Sequence, residues 1–175
     1  MRMRLEGEDD DGRDGCRGKA VVRREIITAI DIVARPECVW AVLLDFPAYG
    51  EWNPFIRRIE GVARMGEVLR VSMQIAKGRP MTFRPRVQAA KSPRKLCWLG
   101  HLGLPGLFDG EHYFQLTALP SGLTRFTHGE RFSGLLAGLF AARMMGPTEA
   151  AFVAMNEALR QRAEAQDAAR GAHDP

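Results

Sequence analysis

Asp45-Phe-Pro-Ala-Tyr-Gly-Glu-Trp-Asn-Pro-Phe-Ile-Arg-Arg-Ile-Glu60 is the stretch that decides the predicted fold. It places aromatic residues and prolines between a short helical region and a long series of strand-like segments. Pro47 and Pro54 bracket one very short helical turn at residues 49–52. Because the residue before a proline avoids the helical conformation, Asn53 is expected to be extended and to direct the chain from helix to sheet.

Segments rich in β-branched and aromatic residues follow this junction, and turn-forming residues such as Pro120-Ser-Gly122 separate them. The six predicted strands cover residues 55–62, 67–76, 81–90, 96–102, 110–118 and 123–132. Pro85 lies inside the third segment and indicates an edge strand or a bulge there. An earlier β-branched segment at residues 25–34 brings the predicted antiparallel sheet to seven strands.

Helical patterns lie before and after these strands. Pro36 suits the first turn of a short helix. A long amphipathic helix is predicted to start at Gly146-Pro-Thr-Glu149 and to run for about five turns. Its inward face comprises Phe152, Met155, Asn156, Leu159 and Ala163. Residues 134–140 contain too much glycine for a regular helix and are interpreted as a mobile connection or a broken helix start.

Length and composition predict a single folded domain. The chain has 175 residues, of which 46% are hydrophobic and 26% charged, so it can bury a core of its own. Residues 1–22 have few apolar side chains and are predicted to form a disordered tail. Residues 166–175 are predicted to form a second disordered tail, which leaves residues 23–165 as the domain.

Charge, cysteine content and missing motifs exclude several functions. The formal charge of +4 comes from scattered basic residues, so no nucleic-acid partner is predicted. Cys16, Cys38 and Cys97 have no CxxC spacing, which argues against a disulfide framework or zinc site and favours the cytoplasm. Without a secretory signal or a run of about 18 apolar residues, no integral membrane contact is expected. No P-loop, GxGxxG, HExxH or GxSxG motif occurs, and no cofactor or metal is predicted.

Seven short motifs accompany this order of elements: Ile30-Asp-Ile32, Pro36-Glu-Cys-Val-Trp40, Asp45-Phe-Pro-Ala-Tyr49, Trp52-Asn-Pro-Phe55, Gly110-Glu-His-Tyr-Phe114, Thr124-Arg-Phe126 and Glu130-Arg-Phe-Ser-Gly134. Together they resemble the START-like (SRPBCC) superfamily, in the branch that groups polyketide cyclases and dehydrases with lipid-transport proteins. The resemblance covers residues 25–159. It implies an α+β helix-grip fold, in which a curved seven-strand antiparallel sheet wraps around a long C-terminal helix and two short helices follow the first strand.

The superfamily includes aromatases and cyclases, hormone receptors and lipid carriers, so the fold by itself does not select a reaction. No catalytic motif of the family can be transferred to this chain residue by residue. A sheet that wraps around a helix can, however, leave a cavity between the two.

Side-chain alternation along the last two strands predicts a buried polar pair. The inward faces are expected to carry His112, Phe114 and Leu116 on one strand and Phe126, His128, Glu130 and Phe132 on the next. If Leu119 pairs with Leu123 across the turn, His112 lies opposite Glu130. The pair then orients the polar end of a ligand, acts on it as an acid and a base, or only satisfies its own hydrogen bonds.

The other candidate wall residues are mostly apolar. The predicted ligand-binding set is Trp52, Phe55, Val71, Met73, Phe83, Trp98, Phe108, His112, Phe114, Phe126, His128, Glu130, Phe152 and Met155. Ile75, Met81 and Val87 are further candidates for the wall, and ordinary core packing is the alternative for each apolar residue. His101 is expected on the outer face or near a loop.

These observations predict a protein that binds a hydrophobic small molecule, such as a lipid, a polyketide-like compound or an aromatic compound, as a carrier or sensor. One alternative is a cofactor-free cyclase or dehydrase with His112 and Glu130 as acid and base. Another is a protein-interaction module with a vestigial cavity, in which residues 134–146 meet a partner. The ligand's identity and the oligomeric state are left open.

Overall fold

The computed structural model describes residues 24–74, 78–120 and 122–171, except for the side chains of residues 139–144. The helices are α1 (Pro36–Leu44), α2 (Tyr49–Trp52) and α3 (Ala137–Gly171), and a 3₁₀ turn covers Phe46–Ala48. The strands are β1 (Arg24–Ile32), β2 (Ile56–Glu60), β3 (Arg70–Met73), β4 (Met81–Phe83), β5 (Arg86–Lys91), β6 (Lys95–His101), β7 (Asp109–Ala118) and β8 (Thr124–Ser133). The predicted tail at residues 1–22 and the candidate wall residue Ile75 lie outside the described residues.

The strands form two antiparallel sheets, and α3 packs on the larger one. The larger sheet has the order β1-β8-β7-β6-β5, and the smaller has the order β2-β3-β4. The α+β helix-grip architecture predicted from the sequence is confirmed, although the described ranges contain eight strands instead of seven. Residues 81–90 divide into β4 and β5 because Pro85 has no amide hydrogen to donate to a strand partner.

The two sheets stay connected at this division. The amide of Leu69 donates to the carbonyl of Pro85 at 2.9 Å, and the amide of Val87 donates to the carbonyl of Glu67 at 2.8 Å. The chain before β3 therefore pairs with the chain that enters β5. The two sheets therefore meet at this division, and residues of both border the space beside α3.

The junction at residues 45–60 has the structure that its prolines predict. Asn53 is extended, with φ −88° and ψ 114°. Its side chain is fully buried, and Oδ1 accepts hydrogen bonds from the amides of Phe55 at 2.9 Å and Ile56 at 2.8 Å. This turn satisfies backbone donors that the change from helix to strand would leave unpaired.

The β7–β8 hairpin also has the predicted register. The amide of Leu119 donates to the carbonyl of Leu123 at 2.8 Å, which closes the turn. His112 lies opposite Glu130, and Phe114 lies opposite His128. The side chains of this hairpin therefore alternate between the α3 side and the outer side as the sequence indicates.

Helix α3 is longer than predicted at both ends. It begins at Ala137 instead of residue 146, so Pro147 lies inside it and residues 137–140 are helical, not a connection. It continues to Gly171, so residues 166–171 are helical and not part of a disordered tail. The amide of Val33 donates to Glu164 Oε1 at 3.0 Å, and Arg35 forms an ion pair with Asp167 at 2.9 Å. These contacts bind the last turns of α3 to the β1–α1 connection.

The predicted inward face of α3 is confirmed. Phe152, Met155, Leu159 and Ala163 are fully buried in the main core, and Asn156 lies among them at 2% exposure. Within the described ranges, no helix is both long enough and apolar enough to cross a membrane.

The outer face of the large sheet depends on a glycine under an aromatic ring. Tyr113 lies opposite Gly129, and a Cβ atom at Gly129 would overlap the Tyr113 ring. The ring cannot easily move, because its hydroxyl donates to Glu25 at 3.1 Å and the Arg131 guanidinium lies 4.5 Å above the ring centroid. Glycine is therefore required at position 129 by the space available.

Replacing Gly129 with alanine is expected to lower the free energy of unfolding by about 1–3 kcal/mol, the usual cost of overpacking. Gly138→Ala is the matched control, because a Cβ atom at the exposed Gly138 would meet no described atom within 4 Å. That control should stay within about 0.5 kcal/mol of the parent protein. Chemical denaturation of the three proteins measures the difference, and equal stabilities of the two variants would contradict the packing argument.

Candidate functional site

A cavity of about 390 Å³ lies between the two sheets and the first half of α3. The inner faces of β6, β7 and β8 form one wall, β3 and β4 form a second, and Pro147 and Thr148 of α3 close a third side. Gly100 and Gly110 face each other in the β6–β7 ladder and both border the cavity. Since neither carries a side chain, this part of the floor is left open.

Half of the predicted ligand-binding residues border this cavity. They are Phe55, Met73, Phe83, Trp98, Phe108, His112 and Glu130, and the further candidate Met81 joins them. The wall is therefore largely aromatic and aliphatic, with one imidazole and one carboxylate from the predicted polar pair.

The other predicted residues do not border the cavity, and their placement on its wall is corrected. Val71, Phe114, Phe126, His128, Phe152 and Met155 are fully buried in the core. Trp52 packs on α2 against Tyr49, with ring centroids 5.0 Å apart. Strand alternation identifies the inward face correctly but does not tell how far along that face the space beside the helix remains open, which explains the error.

Several wall residues were not predicted as site residues. They are Pro85, Gly100, His101, Leu102, Gly110, Phe132, Pro147 and Thr148. Phe132 has the inward parity of Glu130, so that pattern could have identified it. Pro147 and Thr148 were interpreted as a helix start, and in the structure they lie inside α3 and border the cavity.

A second histidine–carboxylate pair lies at the edge of the cavity. His101 Nδ1 is 2.6 Å from Asp109 Oδ1, and both Asp109 oxygens accept from the Gly106 amide at 3.0 Å. His101 lies next to the loop, as expected, and it also borders the cavity. The pair anchors the loop between β6 and β7.

The predicted pair of His112 and Glu130 is present. His112 Nδ1 lies 3.0 Å from Glu130 Oε2, and the side chains are 1% and 15% exposed. The His112 ring is stacked on Trp98, with centroids 5.0 Å apart and planes 7° apart. The imidazole is therefore held in place by Trp98, and both side chains border the cavity.

The pair is one end of a longer hydrogen-bonded chain that sequence reasoning missed. His112 Nε2 lies 3.0 Å from His128 Nε2, and His128 Nδ1 lies 2.9 Å from Asn156 Oδ1. Asn156 Nδ2 donates to Thr28 Oγ1 at 2.9 Å, and Thr28 Oγ1 donates to the carbonyl of His128 at 3.3 Å. Two signals were available: the inward parity of His128, and a polar Asn156 in an otherwise apolar helix face.

The direction of this polar chain follows from its far end. Since the Thr28 hydroxyl donates to a carbonyl, its oxygen accepts from the Asn156 amide, and Asn156 Oδ1 must accept from a protonated His128 Nδ1. Burial lowers the pKa of His128 well below its usual value, and the charge of His112 adds to this effect. A neutral His128 with a proton on Nδ1 leaves Nε2 as an acceptor.

The other ring is then determined as well. His112 Nε2–H must donate to His128 Nε2, so His112 Nδ1 faces Glu130 Oε2 with one proton between them. That proton makes the pair either an imidazolium with a carboxylate or an imidazole with a carboxylic acid. The pair therefore holds one proton at the cavity wall.

This fold and cavity define a helix-grip protein with an apolar interior site. The family described as polyketide cyclase / dehydrase and lipid transport matches residues 23–164. The chain belongs to this family, within the START-like SRPBCC superfamily.

Solved structures agree with this fold. A START superfamily protein from Mycobacterium smegmatis aligns with a TM-score of 0.65 at 20% identity, over 81% of this chain and 98% of that one. The Zhui aromatase/cyclase from a Streptomyces species aligns with a TM-score of 0.64 at 22% identity, over 82% and 94%. A protein from Rhodobacter sphaeroides aligns with a TM-score of 0.65 at 16% identity, over 85% and 97%. The comparison with curated proteins gave no match.

Stability is expected to fall as the pH falls below about 6.5, the ordinary pKa of histidine. In the unfolded chain His128 takes up a proton near that pH, whereas burial keeps its pKa far lower in the folded protein. The unfolded state therefore binds more protons in this window, and the free energy of unfolding drops by up to about 1.4 kcal/mol per pH unit.

Urea denaturation between about pH 7.5 and 5.5 measures this slope. His128→Phe fills the same core position without a titrating group, so its slope should be shallower than that of the parent protein whatever its absolute stability. Equal slopes for the two proteins would show that His128 is not buried in the neutral form.

Proposed function

We propose that this protein binds a hydrophobic small molecule in the cavity between its sheets and α3, as a carrier or sensor. The observation that carries the proposal is an apolar cavity of about 390 Å³ with a single hydrogen-bonded histidine–glutamate pair on its wall. Its volume lies in the range of about 300–1,000 Å³ that is typical of small-molecule sites. Candidate ligand classes are lipids, polyketide-like compounds and aromatic compounds.

The shape of the wall supports this proposal. Trp98, Phe55 and Phe108 offer flat apolar surface, and burial of about 200 Å² of ligand would contribute about 5 kcal/mol before the entropy cost of association. Polar groups that fix orientation are few, as is usual for such sites. Cys38 and Cys97 are both buried as thiols, which supports the cytoplasm as the proposed location.

The cavity also bears on the alternative of an interaction module with a vestigial interior. Phe152 and Met155 are fully packed, so the middle of α3 leaves no room for a ligand. Space nevertheless remains next to Pro147 and Thr148, one to two turns earlier in the same helix. A filled interior would have favoured the interaction module, and this opening favours ligand binding.

The shared proton favours a second candidate function, that of a cyclase or dehydrase. Such reactions remove a proton from a carbon between carbonyl groups or deliver one to a leaving oxygen. Glu130 and His112 hold a proton at the cavity wall. A hydrogen bond between His112 and His128 holds these two imidazole rings in position. The family's description and the aromatase/cyclase among its structural neighbours support this reading.

Filling the cavity should abolish binding of an apolar probe. Gly100→Leu adds a side chain on the wall, and its Cβ atom would lie at an ordinary 3.6 Å from Pro85. The affinity for N-phenyl-1-naphthylamine, an uncharged fluorescent probe, is expected to fall at least about tenfold, or 1.4 kcal/mol. Fluorescence titration measures it.

Gly138→Leu is the control, because it adds the same side chain at an exposed glycine with open space around it. Its affinity for the probe should match that of the parent protein. Native mass spectrometry of protein purified from cells, followed by denaturing extraction, identifies any natural passenger. A parent protein that neither carries a passenger nor binds the probe would refute the carrier proposal.

The enzyme reading has a separate test that needs no natural substrate. In deuterium oxide, the parent protein should accelerate exchange of the hydrogens between the carbonyls of benzoylacetone, and Glu130→Gln should reduce that acceleration by about 100-fold or more. Glu149→Gln, an exposed neighbour of Thr148, is the control and should keep the parent rate. Proton NMR follows the exchange, and a parent rate equal to that of buffer would count against the enzyme.

A further inference from the structure

The carboxylate of Glu130 has one oxygen engaged and one directed elsewhere. Oε2 faces His112 Nδ1 at 3.0 Å. Oε1 lies over Gly110, where a Cβ atom would come within 2.5 Å of it. Gly110 therefore makes room for this oxygen on the cavity wall.

The direction of the polar chain fixes the hydrogen-bonding character of Oε1. The single proton of the pair lies between His112 Nδ1 and Glu130 Oε2. If it belongs to His112, Glu130 is a carboxylate and Oε1 is an acceptor. If it belongs to Oε2, Oε1 is the carbonyl oxygen of a carboxylic acid and is again an acceptor. Oε1 therefore presents lone pairs in both protonation states.

A second polar side chain, that of Thr148, belongs to the wall of the same cavity. Thr148 is 3% exposed, and among the described residues its Oγ1 has no hydrogen-bond partner. A buried hydroxyl without a partner costs roughly 1–3 kcal/mol, which a ligand that bonds to it would recover. Unlike Glu130 Oε1, a hydroxyl can donate or accept.

We infer that the cavity selects an uncharged apolar ligand whose polar end donates a hydrogen bond to Glu130 Oε1, such as a phenol, an enol or an alcohol. This inference rests on the proposed function and specifies its ligand class. A hydroxyl group on the ligand can donate to Glu130 and accept from Thr148. An ether lacks the donor, and a carboxylate would place its lone pairs and its charge against Oε1, so both are discriminated against.

Three probes with one skeleton test the inference at neutral pH: 2-naphthol, which donates; 2-methoxynaphthalene, which is uncharged and only accepts; and 2-naphthoate, which is anionic. Displacement of N-phenyl-1-naphthylamine measures their affinities. We expect 2-naphthol to bind about three- to tenfold more tightly than the ether, the usual net value of one hydrogen bond. It should bind at least about tenfold more tightly than the carboxylate, because a carboxylate loses its hydration without a partner.

Variants at the two polar residues locate the source of the preference. Glu130→Leu should bring 2-naphthol and the ether to equal affinity. Glu130→Gln should keep the preference for 2-naphthol over the ether. The glutamine amide nitrogen donates to His112 Nδ1 and leaves the amide oxygen as the acceptor. Thr148→Val should weaken 2-naphthol more than the ether, whereas the exposed control Glu149→Gln should change neither.

The outcomes distinguish a failure of the inferred ligand class from a failure of the proposed function. If the ether binds and 2-naphthol gains nothing over it, or if Glu130→Leu keeps the preference, the ligand class is wrong and the apolar cavity stands. If 2-naphthoate binds most tightly, the cavity prefers an anionic ligand and the inferred ligand class is wrong. If none of the three displaces a probe that does bind, the ligand class is wrong and hydrophobic-ligand binding stands. If the probe itself does not bind, the proposed function and the ligand class fail together. Circular dichroism of each variant confirms that it remains folded.

Discussion

The antiparallel register of β7 and β8 is the constraint on which the candidate site depends. The backbone hydrogen bond between Leu119 and Leu123 closes the hairpin. It fixes which residues of β7 and β8 lie opposite each other, including His112 and Glu130. Because side chains alternate with a period of two, a slip of one residue would turn these polar groups to the outer face. On that face, Tyr113 over Gly129 fits only one alignment of the strands. The same register thus sets both the inner polar pair and the outer packing.

The buried polar chain links stability to function. Polar groups in a core are costly unless their hydrogen bonds are satisfied, and here each inner member has a partner on both sides. Aromatic rings hold the two imidazoles in place: Trp98 stacks on His112, and Phe152 stacks on His128 at 3.7 Å. Glu130 and His112, at one end of this polar chain, border the cavity, whereas His128 and Asn156 do not. Packing in the core therefore fixes the hydrogen-bonding character of the polar groups that a ligand would meet on the cavity wall.

The cavity exists where side chains are missing or interrupted. Two glycines face each other on β6 and β7, and Pro85 separates β4 of the smaller sheet from β5 of the larger one. Along α3, Phe152 and Met155 fill the interior, whereas Pro147 and Thr148 do not. The open space therefore lies beside the first part of α3, and the close-packed core lies beside its middle.

The sequence by itself determined the features that depend on local rules. Prolines and Asn53 determined the junction, alternation and a short turn determined the hairpin register, and helical spacing determined the buried face of α3, so the fold and the His112–Glu130 pair were predictable. Tertiary structure decided the rest. The partners of His128 lie far away in sequence, on β7, on α3 and, through Asn156, at Thr28 on β1. Packing of the whole chain also decided that α3 begins at Ala137 and that its Thr148 borders the cavity. Periodicity reports which face of an element is buried, but whether that face meets another side chain or open space depends on residues that only folding brings together.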